Sequence, residues 1–183
     1  MKNKAPKIIS ILAILVAFSI WLYKVVNYVE VDQQNDRTLI SNAVVDILND
    51  LQSEMESTHS VYAQFLRLDE MDESQRRGTW ALFELFDPST QKHTDPARSQ
   101  LNHLFSDKEL QDKALLAPAL KVVDSYSGYE GIFKEVHEAI NSKKLSNTEL
   151  EKLLAESRYQ MSELSDPAIN EFEDIRYKYI KGE

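Results

Sequence analysis

An apolar segment close to the N-terminus limits most strongly what this chain can fold into. From Ile8 to Tyr23 the side chains are apolar except for two serines and the polar tips of Trp21 and Tyr23. A helix that continues to Val29 has about 22 residues and a length of about 33 Å, which spans a hydrocarbon layer about 30 Å thick. The sequence therefore predicts a transmembrane helix over residues 8–29.

Charged residues on the two sides of this segment predict its orientation. Three lysines lie within residues 1–7, whereas the first charged residues after Lys24 are acidic, starting with Glu30. Because lysine-rich flanks stay in the cytoplasm, we expect residues 1–7 to form a cytoplasmic tail and residues 8–29 a signal-anchor helix. Residues 30–183 then form one extracytoplasmic domain. In a bacterium this is a single-pass protein of the inner membrane with a periplasmic domain.

A cleaved signal peptide is the alternative interpretation of the same segment. The small residues Ala17 and Ser19 have the spacing of a cleavage site. However, the apolar run continues through Ile20 and Leu22, so cleavage would leave a bulky hydrophobic N-terminus on a soluble protein. We therefore favour the uncleaved anchor.

Charge and cysteine content exclude several classes of function. The chain has 30 acidic and 21 basic residues, and four of the basic ones precede Glu30, so the domain beyond the anchor is strongly acidic. Nucleic acids are bound through Lys and Arg contacts to phosphates, which an acidic domain disfavours. The chain contains no cysteine, which excludes disulfides, thiolate metal sites and cysteine nucleophiles.

The segment from Asp32 to Leu68 contains neither glycine nor proline and predicts one long helix. Its apolar stripe, with steps of three and four residues close to the coiled-coil rhythm, consists of Ile40, Val44, Ile47, Leu51, Met55, Thr58, Tyr62 and Phe65. This stripe either packs on later helices of the same chain or pairs with a second copy or another membrane protein. We favour packing within the chain and keep a homodimer through this helix as the alternative.

Shorter helices are predicted near residues 74–86, 96–105, 107–126, 129–143, 147–164 and 167–181. Their starts are indicated by two capping boxes and two Asp-Pro pairs, which are Ser106 with Glu109, Ser146 with Glu149, Asp95-Pro96 and Asp166-Pro167. Ser127-Gly128 predicts a break, and Pro118 predicts a kink. No segment alternates like a strand. The predicted fold class is all-α, with a transmembrane helix followed by an up-and-down helical bundle built around a long first helix.

Two groups of residues have a possible metal chemistry. Glu56 and His59 project from one helix face as in di-iron bundles, but those sites need a second Glu-x-x-His pair, which the sequence lacks. His93, Asp95 and His103 lie close together along the chain, in a spacing that matches no known metal motif. Solvated side chains are the favoured interpretation in both cases.

Catalytic motifs are missing from the sequence as well. No Gly-x-Ser-x-Gly motif occurs, and four glycines are too few for a phosphate-binding loop. The carboxylates Glu171, Glu173 and Asp174 are interpreted as a solvated helix face. We therefore predict a protein that is not an enzyme and has no catalytic, cofactor-binding or metal-binding residues.

Five aromatic residues in the second half of the chain offer a possible small-molecule pocket between helices. They are Tyr126, Tyr129, Phe133, Tyr177 and Tyr179. Aromatic residues at helical spacing more often form the core, and we favour that interpretation.

The layout resembles the extracytoplasmic helical-bundle sensor modules of bacterial chemoreceptors and sensor kinases, which also run from a membrane helix into a long first bundle helix. This resemblance implies ligand sensing. Those modules return to the cytoplasm through a second membrane helix. The sequence contains no second apolar segment of that kind, so we expect any signal to pass through a partner. The predicted function is a membrane-tethered, non-enzymatic domain that binds or modulates another envelope protein. A ligand-sensing bundle that acts through a partner is the alternative, and a metal carrier or enzyme centred on His59 ranks last.

Overall fold

The computed structural model describes residues 5–88, 94–106 and 113–183, and for residues 5–18, 20, 21, 27 and 30 it describes the backbone alone. Within these ranges the chain forms α-helices, one short 3₁₀ helix and no strand. The elements are α1 (Ala5–Gln64), the 3₁₀ helix Phe65–Glu70, α2 (Glu73–Leu85), α3 (Thr94–Leu104), α4 (Leu116–Ser142) and α5 (Asn147–Lys181). The predicted all-α class with a long first helix is confirmed.

Helix α1 has 60 residues and a length of about 90 Å. Its predicted apolar stripe faces the bundle: Leu51, Met55 and Tyr62 are buried, and Ile40 and Ile47 are partly buried against the same core. This confirms that the stripe packs on later helices of the same chain. By contrast, the described side chains between residues 22 and 36 are exposed.

Among the described residues, no helix combines the length and the apolar character that a membrane crossing requires. The predicted span over residues 8–29 includes residues 8–18, 20, 21 and 27, whose side chains lie outside the described set. The span therefore stays a prediction.

Helices α1 and α5 pack antiparallel, as two polar contacts show. The Arg176 guanidinium donates from Nε to Ser41 Oγ at 2.8 Å, and His59 Nε2 lies 3.2 Å from the carbonyl oxygen of Leu154. The start of the packed part of α1 therefore lies beside the end of α5, and the two helices run in opposite directions. At the end of α5, Gly182 adopts φ +75° and lies so close to Arg37 that a Cβ atom there would overlap the guanidinium.

The predicted break at Ser127-Gly128 is wrong, because α4 continues from Leu116 to Ser142. Ser127 Oγ donates to the carbonyl oxygen of Asp124 within the helix. Gly128 brings α4 close to α5, since a Cβ atom there would lie 2.8 Å from Leu164 Cδ1. The glycine penalty of about 1 kcal/mol is outweighed by the burial of the residues around it.

The start of α4 differs from the predicted helix 107–126. Residues 107–112 lie outside the described set, which also leaves the predicted capping box at Glu109 untested, and Lys113 precedes the helix. Pro118 is the third residue of α4, where its missing N–H would have no helical partner in any case. It therefore does not lie in a helix interior, and the reason for the predicted kink is absent.

The predicted break at Asp166-Pro167 is also wrong, because α5 contains Pro167 in its interior. The Asp166 carboxylate accepts a hydrogen bond from Ser162 Oγ instead of capping a new helix. Buried residues on both sides of the proline keep one helical register, namely Met161, Ser165, Ala168 and Phe172. Tertiary packing of this stripe outweighs the proline penalty of about 3 kcal/mol.

The predicted capping box at the start of α5 is confirmed. The backbone N–H of Glu149 donates to Ser146 Oγ at 3.4 Å, and the N–H of Ser146 donates to the Glu149 carboxylate at 2.8 Å. The Ser146 hydroxyl also donates to the Glu149 carboxylate, at 2.7 Å, and this bond, together with the one from the Ser146 N–H, lowers the pKa of Glu149. Lys143 before it adopts φ +54°, a left-handed turn that separates α4 from α5.

Candidate functional site: a cleft between three helices

A cleft of about 490 Å³ opens between α1, α4 and α5. Its residues come from all three helices and mix apolar with polar side chains; they are Gln52, Met55, Glu56, His59, Ser60, Ala63, Tyr126, Tyr129, Arg158, Met161, Ser162, Ser165, Asp166 and Ile169. A volume of this size lies within the range of about 300–1,000 Å³ that small-molecule sites occupy.

Local packing explains where the cleft forms. Ser60 and Ala63 on α1 and Ser162 and Ser165 on α5 line the cleft at different levels along the helices, and all four have small side chains. The antiparallel helices therefore leave space between them instead of filling it. Gly128 precedes Tyr129, which lines the cleft, and lets α4 approach α5 closely at Leu164.

The Tyr129 side chain forms part of the cleft wall and is fixed by hydrogen bonds. Its hydroxyl donates to the carbonyl oxygen of Met161 at 2.7 Å and lies 2.8 Å from Ser165 Oγ, which in turn donates to the same carbonyl at 3.1 Å. Burial raises the pKa of Tyr129, although the hydrogen bond with Ser165 opposes this. Tyr129 is therefore a neutral, rigid part of the wall.

The neighbouring Tyr126 differs from Tyr129 in one respect that matters for binding. Its ring packs edge-on against Tyr129 with the centroids 4.8 Å apart, and the residue is only 3% exposed. Yet its hydroxyl forms no hydrogen bond with any described residue. Burial raises the pKa of Tyr126 well above its usual range, and the nearby Tyr129, Glu56 and Asp166 raise it further. The cleft therefore contains a neutral hydroxyl that can still bond a ligand.

Glu56 and His59, which were weighed as a metal pair and interpreted as solvated side chains, both line the cleft. His59 Nε2 contacts the carbonyl oxygen of Leu154, and the Glu56 carboxylate accepts a hydrogen bond from Gln52 at 2.9 Å. In the described part of the chain, no three His, Asp or Glu side chains gather closely enough to hold a metal ion. The pair thus contributes polar groups to the cleft without assembling a metal centre among these residues.

Three formal charges lie around the cleft without an ion-pair partner in the described ranges. They are the carboxylates of Glu56 and Asp166 and the guanidinium of Arg158. Asp166 accepts one hydrogen bond, from Ser162 Oγ at 2.6 Å. Arg158 and Asp166 are both on α5, eight residues apart, which corresponds to about 12 Å along the helix axis. The alignment of His59 with Leu154 places Arg158 nearly level with Glu56, and together the three groups leave the cleft with one net negative charge.

The five aromatics were interpreted as core residues, and all except Tyr177 are buried. Three of them lie away from the cleft. Phe133 is buried in the core against Tyr62, with ring centroids 5.8 Å apart. Tyr177 and Tyr179 are both near the C-terminal end of α5. Tyr177 is exposed and lies under the ammonium group of Lys181, whereas Tyr179 packs under the guanidinium of Arg37. Only Tyr126 and Tyr129 of the five predicted aromatics meet in the cleft.

The other predicted groups are separate from the cleft. His93 lies outside the described residues, and Asp95 and His103 are exposed on α3 about 12 Å apart along its axis. Glu171 and Glu173 are exposed and form surface ion pairs with Lys121 and Arg176.

Two charged residues of the cleft, Asp166 and Arg158, were not predicted as site residues. Asp166 was assigned to a helix cap, and no motif in the sequence marks Arg158. Ser162 and Ser165 lie three residues apart on one helix face, and this spacing of small side chains could have indicated the space between the helices.

One polar residue of the core, His137, was not predicted either. Its ring stacks on Phe83 at 3.9 Å, and its buried Nδ1 has no partner among the described residues. Burial lowers the pKa of His137, although Asp87 and Glu138 oppose this.

Comparison with known proteins adds no relative: the chain matches no protein-family model, and no curated protein and no solved structure is significantly similar to it.

Proposed function

We propose that this protein is a membrane-tethered, non-enzymatic helical bundle that binds a small molecule in the cleft and acts through a partner. The observation that carries the proposal is the cleft itself. It combines a volume suited to a small ligand with a rigid aromatic wall and an unpartnered hydroxyl on Tyr126. Small-molecule sites combine apolar and aromatic side chains with convergent polar groups, and the cleft offers both kinds of contact.

The tether in this proposal rests on the sequence of residues 8–29 and on the lysines before it. Helix α1 continues from this segment into the bundle, and its described side chains between residues 22 and 36 contact no other helix closely enough to be buried. We propose that the segment anchors the protein in a bacterial inner membrane with the bundle in the periplasm.

Ligand binding is tested by screening the full-length protein in detergent against a small-molecule library by ligand-observed NMR. A Ser162→Trp variant fills the cleft, and a Ser99→Trp variant introduces the same bulk on the exposed face of α3 as a control. We expect bound compounds to be lost in Ser162→Trp and retained in Ser99→Trp. A screen without any bound compound, or compounds that bind both variants equally, would contradict the proposal.

The tether is tested through the absence of cysteine from the sequence, which allows single reporters. Spheroplasts expressing Ser99→Cys or Lys2→Cys are treated with a membrane-impermeant maleimide. We expect labelling of the first variant and protection of the second until the membrane is permeabilised. Protection of Ser99→Cys, or recovery of the protein without membranes, would disprove the anchor.

A second candidate function is direct binding of another envelope protein, and it is favoured by two exposed leucines on α2. Leu82 and Leu85 are 40% and 62% exposed and lie three residues apart on one helix face. Apolar side chains grouped in this way are typical of interaction surfaces. A homodimer would have to use other residues than the buried stripe of α1, such as those between 22 and 36. Crosslinking in native membranes should recover a specific partner, and a Leu85→Asp variant should recover less of it.

A further inference from the structure

We propose that the cleft selects small organic monocations, whose charged nitrogen lies between Glu56 and Asp166 and against the rings of Tyr126 and Tyr129. This inference rests on the proposed ligand-binding function and specifies the chemical class of the ligand. It follows from the arrangement of charges, hydroxyl groups and rings around the cleft.

The two carboxylates come from different helices and face the same space. Glu56 is on α1 and Asp166 is on α5, and neither has an ion-pair partner among the described residues. Each accepts one neutral hydrogen bond, from Gln52 Nε2 and Ser162 Oγ respectively. A carboxylate has about four lone-pair positions, so both can accept further hydrogen bonds from a ligand.

The Tyr126 hydroxyl supplies a third acceptor. The residue is 3% exposed, its hydroxyl has no partner in the described ranges, and it lines the cleft. A primary ammonium group has three N–H donors, which matches two carboxylates and one hydroxyl oxygen. Tyr129 also lines the cleft, and a cation that contacts the face of its ring would gain further electrostatic stabilisation.

Electrostatics around the tyrosines favour a cation over an anion. After burial, Glu56 and Asp166 raise the pKa of both Tyr126 and Tyr129, so the negative potential of the two carboxylates reaches the tyrosines of the cleft. An anionic ligand would face two carboxylates there, whereas a cation would be attracted by both. A neutral ligand could donate a hydrogen bond to a carboxylate but would lack the attraction between opposite charges.

Arg158 limits the charge of the cation. Its guanidinium lies about 12 Å along α5 from Asp166, and the alignment of His59 with Leu154 places it nearly level with Glu56. Two carboxylates and one guanidinium leave the cleft with one net negative charge. A monocation balances this charge, whereas the second charge of a dication would be repelled by the guanidinium. The expected ligand is therefore an amine with a single positive charge.

The inference is tested with three probes of nearly equal shape: benzylamine, benzyl alcohol and benzoate. Binding to the full-length protein in detergent is measured by isothermal titration calorimetry and ligand-observed NMR. We expect benzylamine to bind most tightly and its affinity to fall as salt is added, because ions screen exposed charges. Glu56→Gln and Asp166→Asn should each weaken benzylamine binding about three- to tenfold, the size of one net hydrogen bond, because both carboxylates are exposed to solvent.

The control is Glu151→Gln, which removes an exposed carboxylate of α5 that does not line the cleft and should leave the affinity unchanged. Tighter binding of benzoate, or benzylamine binding that neither cleft variant weakens, would overturn the cation assignment. If benzylamine does not bind but library compounds are displaced by Ser162→Trp, the ligand-binding function stands and the cation inference fails. If nothing binds the cleft, both fail.

Discussion

The interface between α1, α4 and α5 has two parts. They differ in which side chains pack against the aromatic stripe of α4, which consists of Tyr126, Tyr129 and Phe133. At Phe133 the stripe meets Tyr62, which in turn packs edge-on against Phe83 at 5.8 Å, so this part is closed. One to two turns earlier, at Tyr126 and Tyr129, the facing side chains are small or polar and the interface opens into the cleft. We refer to these as the closed part and the open part of the interface.

This difference shows that a cleft depends on the facing residues more than on the aromatic stripe. Tyr126, Tyr129 and Phe133 follow each other at steps of three and four residues, and all three are buried. The 3₁₀ helix and α2 bring Phe65, Trp80 and Phe83 to the closed part, where their rings contact one another. The open part receives no such cover, so the tyrosines there adjoin solvent-accessible space.

The largest expected effect is the loss of stability when a buried side chain is truncated, which should be greater in the closed part than in the open part. Phe133→Ala in the closed part should lower the free energy of unfolding by about 3–5 kcal/mol, because it leaves a dry cavity. Met161→Ala beside the cleft should cost about 2 kcal/mol, since water can occupy the vacated space. Urea unfolding monitored by circular dichroism measures both. A larger loss of unfolding free energy for Met161→Ala would mean that the open part contributes more to stability than the closed part.

A smaller effect tests the hydrogen bonding of the two tyrosines in the open part. Tyr129→Phe removes the hydroxyl bonded to Met161 and should destabilise the protein by about 1 kcal/mol. Tyr126→Phe removes an unpartnered hydroxyl and should change stability by less than about 0.5 kcal/mol. Thermal unfolding of both variants measures the difference. Equal losses would show that Tyr126 has a partner in the folded protein.

The smallest effect concerns the contact between α4 and α5 beside the cleft. Gly131→Ala should stabilise the protein by about 1 kcal/mol, because a Cβ atom there meets nothing within 4 Å and alanine favours helix. Gly128→Ala should gain less, since the half-exposed Leu164 must rotate away. Parallel urea titrations compare the two. If both substitutions raise the free energy of unfolding equally, Gly128 does not set the distance between α4 and α5.

Local sequence signals predicted the helical class, the buried stripe of α1 and the capping box at Ser146, because each depends on residues within a few positions of one another. They failed at Gly128 and Pro167, where packing between α4 and α5 outweighs a local penalty that the sequence shows plainly. Tertiary burial of this kind cannot be inferred from one segment alone.

The candidate site was only partly predictable for the same reason. Glu56 and His59 were named as a pair and interpreted as solvated side chains. Tyr126 and Tyr129 belonged to a set of five aromatics that was interpreted as core. The meeting of these four residues depends on the antiparallel alignment of α1 and α5, and no short-range pattern encodes this alignment. Asp166 was assigned to a helix start because Asp-Pro is usually a boundary, and a continuous α5 turns it into a wall residue.

The close approach of Gly182 to Arg37 has a practical consequence for anyone who modifies this protein. A fluorescent or affinity tag fused after Glu183 would emerge where α1 leaves the bundle, and would crowd that exit. The turn at Lys143 lies at the opposite end, beside the Trp80 ring. An epitope inserted next to this turn would be displayed away from the exit, and it is therefore the better position for a label.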